Sequence, residues 1–203
     1  MIREAYKDLQ ADCSLIFLEE GFPQNCLSFC RENHCSAYTV SGIDWNKDLS
    51  PWPAKKVFKK GEDFSGGGDA FLQRLLEEVK EIPGRKCLAG VSLAGLFALY
   101  AASKSDAFAQ IISISGSLWY PGFREYLSEH PFHAEDVYLS LGDQEANSRN
   151  PLLASVAEET AACAQILKEK GVSLRQERNP GGHFADGEER LLKALKWFME
   201  SGM

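Results

Sequence analysis

The stretch that decides the fold is CLAGVSLAGLF, residues 87–97, an apolar run with one serine between small residues. The letters before Ser92 predict a buried strand and those after it favour a helix, so the serine lies at a strand-to-helix turn. Gly90 precedes Ser92 by two positions, Ala94 follows it by two, and a second glycine, Gly95, comes one position later. A sharp turn of this kind needs small flanking residues and exposes the serine hydroxyl. It is therefore either a tight structural turn or the setting of a nucleophile.

The rest of the chain repeats one unit: an apolar run, a loop with glycine or proline, and a helical pattern. Strands are predicted at 14–21, 36–43, 86–92, 109–117, 136–143 and 172–180. Helices are predicted at 24–33, 70–82 with Asp69 as its cap, 93–104, 150–170 and 188–200. This alternation predicts an α/β protein with a minimal, mostly parallel sheet of about six strands and helices on both faces. No linker divides the chain, so 1–203 is expected to form a single domain.

Composition excludes several classes of function. The net charge is −7 without a basic stripe, which argues against nucleic acid or an anionic membrane as the partner. No run approaches the roughly 18–20 apolar residues of a membrane span. The N-terminal letters MIREAYKDLQADC carry charges where an export signal needs an apolar core, so a cytoplasmic location is expected. The six cysteines are then expected to be reduced.

Three kinds of side chain needed for serine chemistry follow strands of the predicted sheet. Ligand sites of parallel sheets lie beyond the carboxyl ends of the strands. Ser92 ends the third strand, and His183 in NPGGHF follows the last strand as the candidate base. The acid is expected after the fifth strand, where Glu145 and Asp143 both qualify. Glu145 is favoured because it lies three residues past Gly142 and reaches further, whereas Asp143 would brace the loop through backbone amides.

Two further parts of such a site can be sought at the same edge. An oxyanion needs hydrogen-bond donors, and the backbone amide of Leu93 is offered by the turn itself. The second donor is expected from the loop after the first strand, where the amide of Phe22 is the candidate because Pro23 has no N–H. Four aromatic residues after strand ends either line a substrate pocket or plug the core under long loops: Trp45, Trp52, Trp119 and Tyr120.

Metal and nucleotide sites are not favoured. Four residues could suggest a zinc site: Cys26, Cys30, His34 and Cys35. Cys26 and Cys30 fall on one helix face, but the two-residue spacing of structural zinc sites is missing, and buried apolar cysteines are the favoured interpretation. The glycines at 66–68 lack the spacing and the lysine of phosphate-binding loops. We therefore expect no metal and no cofactor, with water completing the reaction.

Four segments resemble the α/β-hydrolase superfamily when taken in order: GVSLAGLFALY, ISISGSLWYPGF, LSLGDQEANSRNP and GGHF. Within it, they are similar to the small predicted serine hydrolases related to esterase D and the ferric-enterobactin esterases. The resemblance runs from about residue 14 to the C-terminus. It implies an α/β-hydrolase fold in which Ser92, His183 and an acidic residue act on a small-molecule ester or related acyl bond. It also implies a minimal sheet, because the two or so strands that often precede the first one are not predicted here.

The leading hypothesis is a serine hydrolase of carboxylesterase type, with thioester or siderophore-ester cleavage as further options. Two alternatives stay open. One is an inactive α/β-hydrolase fold that serves as a binding or regulatory protein. The other is an acyltransferase that passes the acyl group to an acceptor other than water.

Overall fold

A computed structural model describes residues 1–58 and 60–201, and within them the chain forms nine strands and eight helices. The strands are β1 (Ile2–Tyr6), β2 (Cys13–Phe17), β3 (Cys35–Val40), β4 (Pro53–Ala54), β5 (Phe64–Ser65), β6 (Arg85–Val91), β7 (Gln110–Ile114), β8 (Asp136–Gly142) and β9 (Ser173–Asn179). The helices are α1 (Gln24–Glu32), α2 (Trp45–Asp48), α3 (Gly68–Val79), α4 (Leu93–Lys104), α5 (Phe123–Glu129), α6 (Pro151–Ala154), α7 (Val156–Glu169) and α8 (Gly187–Ser201).

Seven of the strands form one sheet, in the order β1-β3-β2-β6-β7-β8-β9. Only β1 is antiparallel to its neighbour, so the predicted mostly parallel α/β sheet is confirmed. The prediction of about six strands missed β1, which adds an edge strand beside β3. Gly142 pairs with Asn179 at the ends of β8 and β9, so the loops that follow these two strands begin side by side.

The sheet is covered by apolar side chains on both faces because neighbouring residues of a strand point in opposite directions. In β2, Ile16 belongs to a cluster with α3, α4 and α7, whereas Leu15 and Phe17 belong to a second cluster with α1 and α8. Helix α4 is buried on every side from Leu93 to Ser103, as expected for a central helix that packs against β6 and β7. Ser92 thus lies between two buried elements, the central strand β6 and helix α4.

Two local predictions were wrong, and several elements were missed. Asp69 does not cap α3: its cap is Gly67, and the Asp69 carboxylate instead accepts a hydrogen bond from the Tyr100 hydroxyl at 2.5 Å. The single helix expected over 150–170 is divided at Ser155 into α6 and α7. Helix α5 was not predicted, and neither were the short elements α2, β4 and β5 inside the irregular stretch after β3. Within the described ranges, no helix has the length and apolar composition to cross a bilayer.

Candidate active site

The turn at Ser92 has the strained backbone of a sharp strand-to-helix elbow. Ser92 has φ 58° and ψ −122°, a combination that residues with a side chain rarely adopt. A Cβ added at Gly90 would collide with the backbone of Ala94, so Gly90 leaves the room that lets alanine occupy position 94. A Cβ at Gly95 would lie 2.7 Å from Ser113 Oγ on β7, so this glycine allows α4 to approach the sheet. The small residues around Ser92 are therefore required by the elbow.

The structure brings Ser92, His183 and Glu145 together at the carboxyl ends of β6, β9 and β8. His183 Nε2 lies 3.1 Å from Ser92 Oγ, and His183 Nδ1 lies 2.7 Å from Glu145 Oε2. A carboxylate oxygen only accepts, so Nδ1 carries the proton and donates it to Glu145. Nε2 is then the acceptor for the Ser92 hydroxyl. The arrangement can take a proton from Ser92 and stabilise the imidazolium that forms.

Glu145 is buried and held as a carboxylate. Its side chain is 3% exposed. Oε1 accepts hydrogen bonds from Ser115 Oγ at 2.7 Å and from the Gly142 amide at 2.6 Å. Burial raises the pKa of Glu145, but the hydrogen bonds from His183, Ser115 and Gly142 outweigh it and bring the pKa below its ordinary value. The group facing His183 is therefore negatively charged at neutral pH.

Asp143, the other candidate acid, contacts a different partner. Its Oδ1 accepts a hydrogen bond from the Gly181 amide at 2.8 Å. Its own amide donates to the Asn179 carbonyl at 2.8 Å, and the Gln144 amide donates to the Gly181 carbonyl at 3.1 Å. These bonds join the loop after β8 to the loop after β9, which is the bracing role that the sequence offered as its alternative.

A cavity of about 450 Å³ opens above Ser92 and lies in the size range of small-molecule sites. Ser92, Leu93 and His183 form part of its lining. The rest of the lining mixes polar and charged residues, such as Lys56, Lys60 and Glu62, with apolar ones. The apolar ones include five aromatic residues: Trp45, Phe58, Phe64, Trp119 and Phe184. The site can therefore hold an apolar or aromatic group beside the serine hydroxyl.

Trp45 and Trp119 line the cavity, as a pocket role requires, but Trp52 and Tyr120 lie elsewhere. Neither of the latter two belongs to the lining residues that the structure describes. Tyr120 is 2% exposed, and its hydroxyl donates to the Trp52 carbonyl at 2.5 Å. The Trp52 ring packs against Tyr100 and Tyr126. Their packing matches the hydrophobic plug that the sequence offered as the alternative, and a pocket role for Trp52 and Tyr120 stays a prediction.

The two predicted oxyanion donors differ in their placement. Leu93 lines the cavity directly after Ser92 and is the first residue of α4, so its amide belongs to the positive end of the helix dipole. Phe22 is not among the described lining residues, and its ring packs against Phe17 with 5.5 Å between centroids. The oxyanion roles of both amides, Leu93 and Phe22, stay predictions.

Three side chains that hydrogen-bond Ser92 or Glu145 were not nominated from the sequence. Ser117 Oγ lies 3.3 Å from Ser92 Oγ, and Ser115 bonds Glu145. Both follow β7 in the letters ISISGS, so their strand-end position was the available signal. Arg190 also contacts Glu145, with 3.1 Å between Nη1 and Oε1. It lies on the buried stripe of α8, where a cation at a core position was the signal.

The candidate zinc ligands do not come together in the part of the chain that the structure describes. No group of three or more histidine, cysteine or acidic side chains there could hold a metal ion. Cys26 and Cys30 are buried in the core against α8, and the His34 ring instead lies 2.8 Å from Asp8 Oδ2. All six cysteines are free thiols.

The sheet is mostly parallel, a serine lies at the elbow after its central strand β6, and a histidine follows its last strand. This combination defines an α/β-hydrolase fold. The family model described as "Putative esterase" matches residues 70–196, which is more than half of the chain. The chain therefore belongs to this esterase family.

Individual proteins are similar to this chain in sequence or in structure. The protein YbbA of Bacillus subtilis (strain 168), described as uncharacterized, is 29% identical over 168 residues, covering 74% of this chain and 67% of YbbA. An IroE-like serine hydrolase from Shewanella oneidensis has a similar structure, with a TM-score of 0.77 and 15% identity over 98% of this chain and 74% of that one. The enterobactin esterase FES from Shigella flexneri has a TM-score of 0.69 and 19% identity, covering all of this chain and 55% of FES. At these identities, the two structural similarities establish the shared fold.

Proposed function

We propose that this protein is a serine hydrolase that cleaves a small-molecule carboxylic ester through an acyl-enzyme on Ser92. His183 acts as the base and then as the acid, and Glu145 orients it. The observation that carries the proposal is the unbroken chain of hydrogen bonds from Ser92 Oγ through the His183 ring to Glu145. Membership of the esterase family supports the same reaction class.

The proposed reaction has two stages. Ser92 Oγ attacks the ester carbonyl while His183 Nε2 takes the hydroxyl proton, and the amide of Leu93 donates to the oxyanion. The tetrahedral intermediate collapses, the C–O bond to the alcohol breaks, and His183 returns the proton to the departing alcohol. Water then attacks the acyl-enzyme with His183 as base, which releases the carboxylic acid and restores Ser92. Each stage needs only this chain's groups and water.

The cavity supports a substrate with an apolar or aromatic group next to the scissile bond. Its aromatic wall and its volume of about 450 Å³ suit a small organic ester better than a polymer. The similar FES structure was obtained with 2,3-di-hydroxy-N-benzoyl-glycine, an aromatic ligand. We propose aromatic or medium-length acyl esters as the class to test first.

The direct test is hydrolysis of a panel of 4-nitrophenyl esters of increasing acyl length and of a benzoyl ester by the wild-type protein. The proposal expects turnover, with the fastest reaction for the acyl groups that fill the cavity. Repeating the assay with added simple alcohols detects acyl transfer, since a transferase would form new esters at the expense of the acid. Absence of turnover with every ester would contradict the proposal and favour the alternative of a binding or regulatory protein.

The acid of the site is tested by a matched pair of neutral replacements. Glu145→Gln is expected to lower kcat by roughly 10⁴-fold, because the amide no longer holds His183 in the required tautomer or balances its charge. Asp143→Asn should lower kcat far less, because Asp143 contacts the Gly181 amide rather than His183. Steady-state kinetics with one ester measure both. A larger loss for Asp143→Asn than for Glu145→Gln would contradict the assignment of the acid.

A further inference from the structure

Arg190 is the largest fully buried side chain among the described residues, and it lies directly behind the candidate active site. It is 1% exposed, in the first turns of α8. Nη1 donates to Ser115 Oγ at 3.0 Å and to Glu145 Oε1 at 3.1 Å. Nη2 donates to the carbonyls of Pro180 and Gly182 at 2.9 and 3.0 Å. One guanidinium thus joins the end of β7, the loop after β8 and the loop after β9.

The contacts to Glu145 leave one of its oxygens for His183. Oε1 accepts from Ser115, Gly142 and Arg190, whereas Oε2 faces His183 Nδ1 at 2.7 Å. A glutamate has one more rotatable bond than an aspartate, so more contacts are needed to fix its carboxylate in one orientation. The donors on Oε1 supply that restraint.

The contacts of Arg190 to Pro180 and Gly182 restrain the loop that carries His183, the partner of Glu145. These carbonyls flank Gly181, which has φ +87°, and the Gly182 carbonyl belongs to the peptide bond that leads into His183. Two consecutive glycines give a backbone with wide conformational freedom. The planar guanidinium group donates to both carbonyls in a fixed geometry, whereas the compact ammonium group of a lysine would hold them less well.

We propose that Arg190 is a positioning residue that sets the distance and orientation between Glu145 and His183. It holds the carboxylate with one nitrogen and the histidine loop with the other. This inference rests on the proposed function, in which that hydrogen bond orients the base. Arg190 does not belong to the described lining residues of the cavity, so its effect reaches the substrate only through Glu145 and His183.

A purely stabilising role explains the buried Arg190 less well than a positioning role. A buried ion pair commonly stabilises a fold no better than apolar residues of the same volume, because desolvation offsets the attraction. Removing one partner leaves an uncompensated buried charge, so destabilisation is expected as well. The test must therefore separate a loss of rate from a loss of folded protein.

The first experiment measures kcat and KM for Arg190→Gln and Arg190→Lys at a temperature where both variants are folded. Arg190→Gln is expected to lower kcat by about 10²-fold, with KM changed less than about twofold, because small displacements of catalytic groups slow chemistry without altering the pocket. Arg190→Lys should recover part of the loss, because a lysine keeps the charge but not both sets of contacts.

Arg85→Gln is the matched control for loss of an arginine–carboxylate contact. Arg85 bonds Asp136 and Glu135 at 2.7 and 2.9 Å, at the opposite end of β6 from Ser92. This variant is expected to lower the thermal stability while keeping kcat close to the wild-type value. If Arg85→Gln and Arg190→Gln lower kcat equally, the proposed positioning role is wrong.

A double-mutant cycle gives the sharper result. Because Arg190 is proposed to act partly through Glu145, Arg190→Gln should lower kcat much less in a Glu145→Gln background than in the wild-type protein. The loss of kcat in the double variant should be at least tenfold smaller than the product of the two single losses. Multiplication of the two effects would overturn the inference. If Arg190→Gln does not fold, the same cycle with Arg190→Lys decides by the same criterion. A wild-type protein without esterase activity would instead overturn the proposed function, and the inference with it.

Discussion

Replacing Ser92 by alanine is expected to lower kcat for ester hydrolysis by about 10⁶-fold, because the acyl-enzyme loses the oxygen through which it forms. The change removes one oxygen from a half-buried residue and leaves Gly90 and Ala94 in place, so the elbow keeps its packing. A residual rate above the uncatalysed one is expected, since oxyanion donors and substrate binding persist. The measurement is kcat with saturating 4-nitrophenyl ester, together with the thermal unfolding midpoint.

Ser117→Ala provides the control for this result. Ser117 also lines the cavity, and its hydroxyl lies 3.3 Å from Ser92 Oγ, so it tests whether any serine at this place carries the activity. We expect a loss of no more than about tenfold, the order of one hydrogen bond. Equal losses for both variants, or an active Ser92→Ala, would contradict the role of Ser92.

Replacing His183 by alanine is expected to have an effect of similar size, about 10⁶-fold in kcat, because Ser92 then has no base. The two groups act as one unit, so combining His183→Ala with Ser92→Ala should add little further loss. The His183 side chain is partly exposed and lies in the loop after β9, so its removal should cost little stability. Steady-state kinetics of both single variants and the double variant measure this prediction.

His130→Ala is the matched histidine control. His130 stacks on Tyr126 with 4.0 Å between ring centroids, and its Nδ1 lies 2.9 Å from the Tyr126 carbonyl. It does not belong to the described lining of the cavity, so kcat should stay close to the wild-type value. A full loss in His130→Ala, or full activity in His183→Ala, would contradict the account.

The sequence predicted most of the sheet and the strand-end positions of the site. Periodicity gave β6 and α4 within a residue of their observed bounds, because both are apolar and uninterrupted. Ser92, His183 and Glu145 were nominated because the carboxyl ends of parallel strands meet at one edge. The strand β1 was missed because its five residues, IREAY, carry charges and only partly buried side chains, as befits an edge strand.

What the sequence could not predict depends on contacts between distant segments. Trp52 and Tyr120 follow predicted strand ends, as Trp119 does, but only tertiary packing brings their two rings together, with the Trp52 ring also against Tyr100. Arg190 falls on the apolar stripe of EERLLKALKW, but the role of its charge depends on partners in two distant loops. The choice between Glu145 and Asp143 likewise depends on the path of the loop after β8, which composition does not specify.

The most direct test of the central claim, that Ser92 is a nucleophile activated by His183 and Glu145, is labelling with a fluorophosphonate probe followed by peptide mapping. Such probes phosphonylate activated serines and release fluoride. We predict one adduct per wild-type chain, on Ser92, none on Ser92→Ala, and strongly slowed labelling of His183→Ala. An adduct on another residue, undiminished labelling of Ser92→Ala, or no labelling of the wild-type protein would contradict the account.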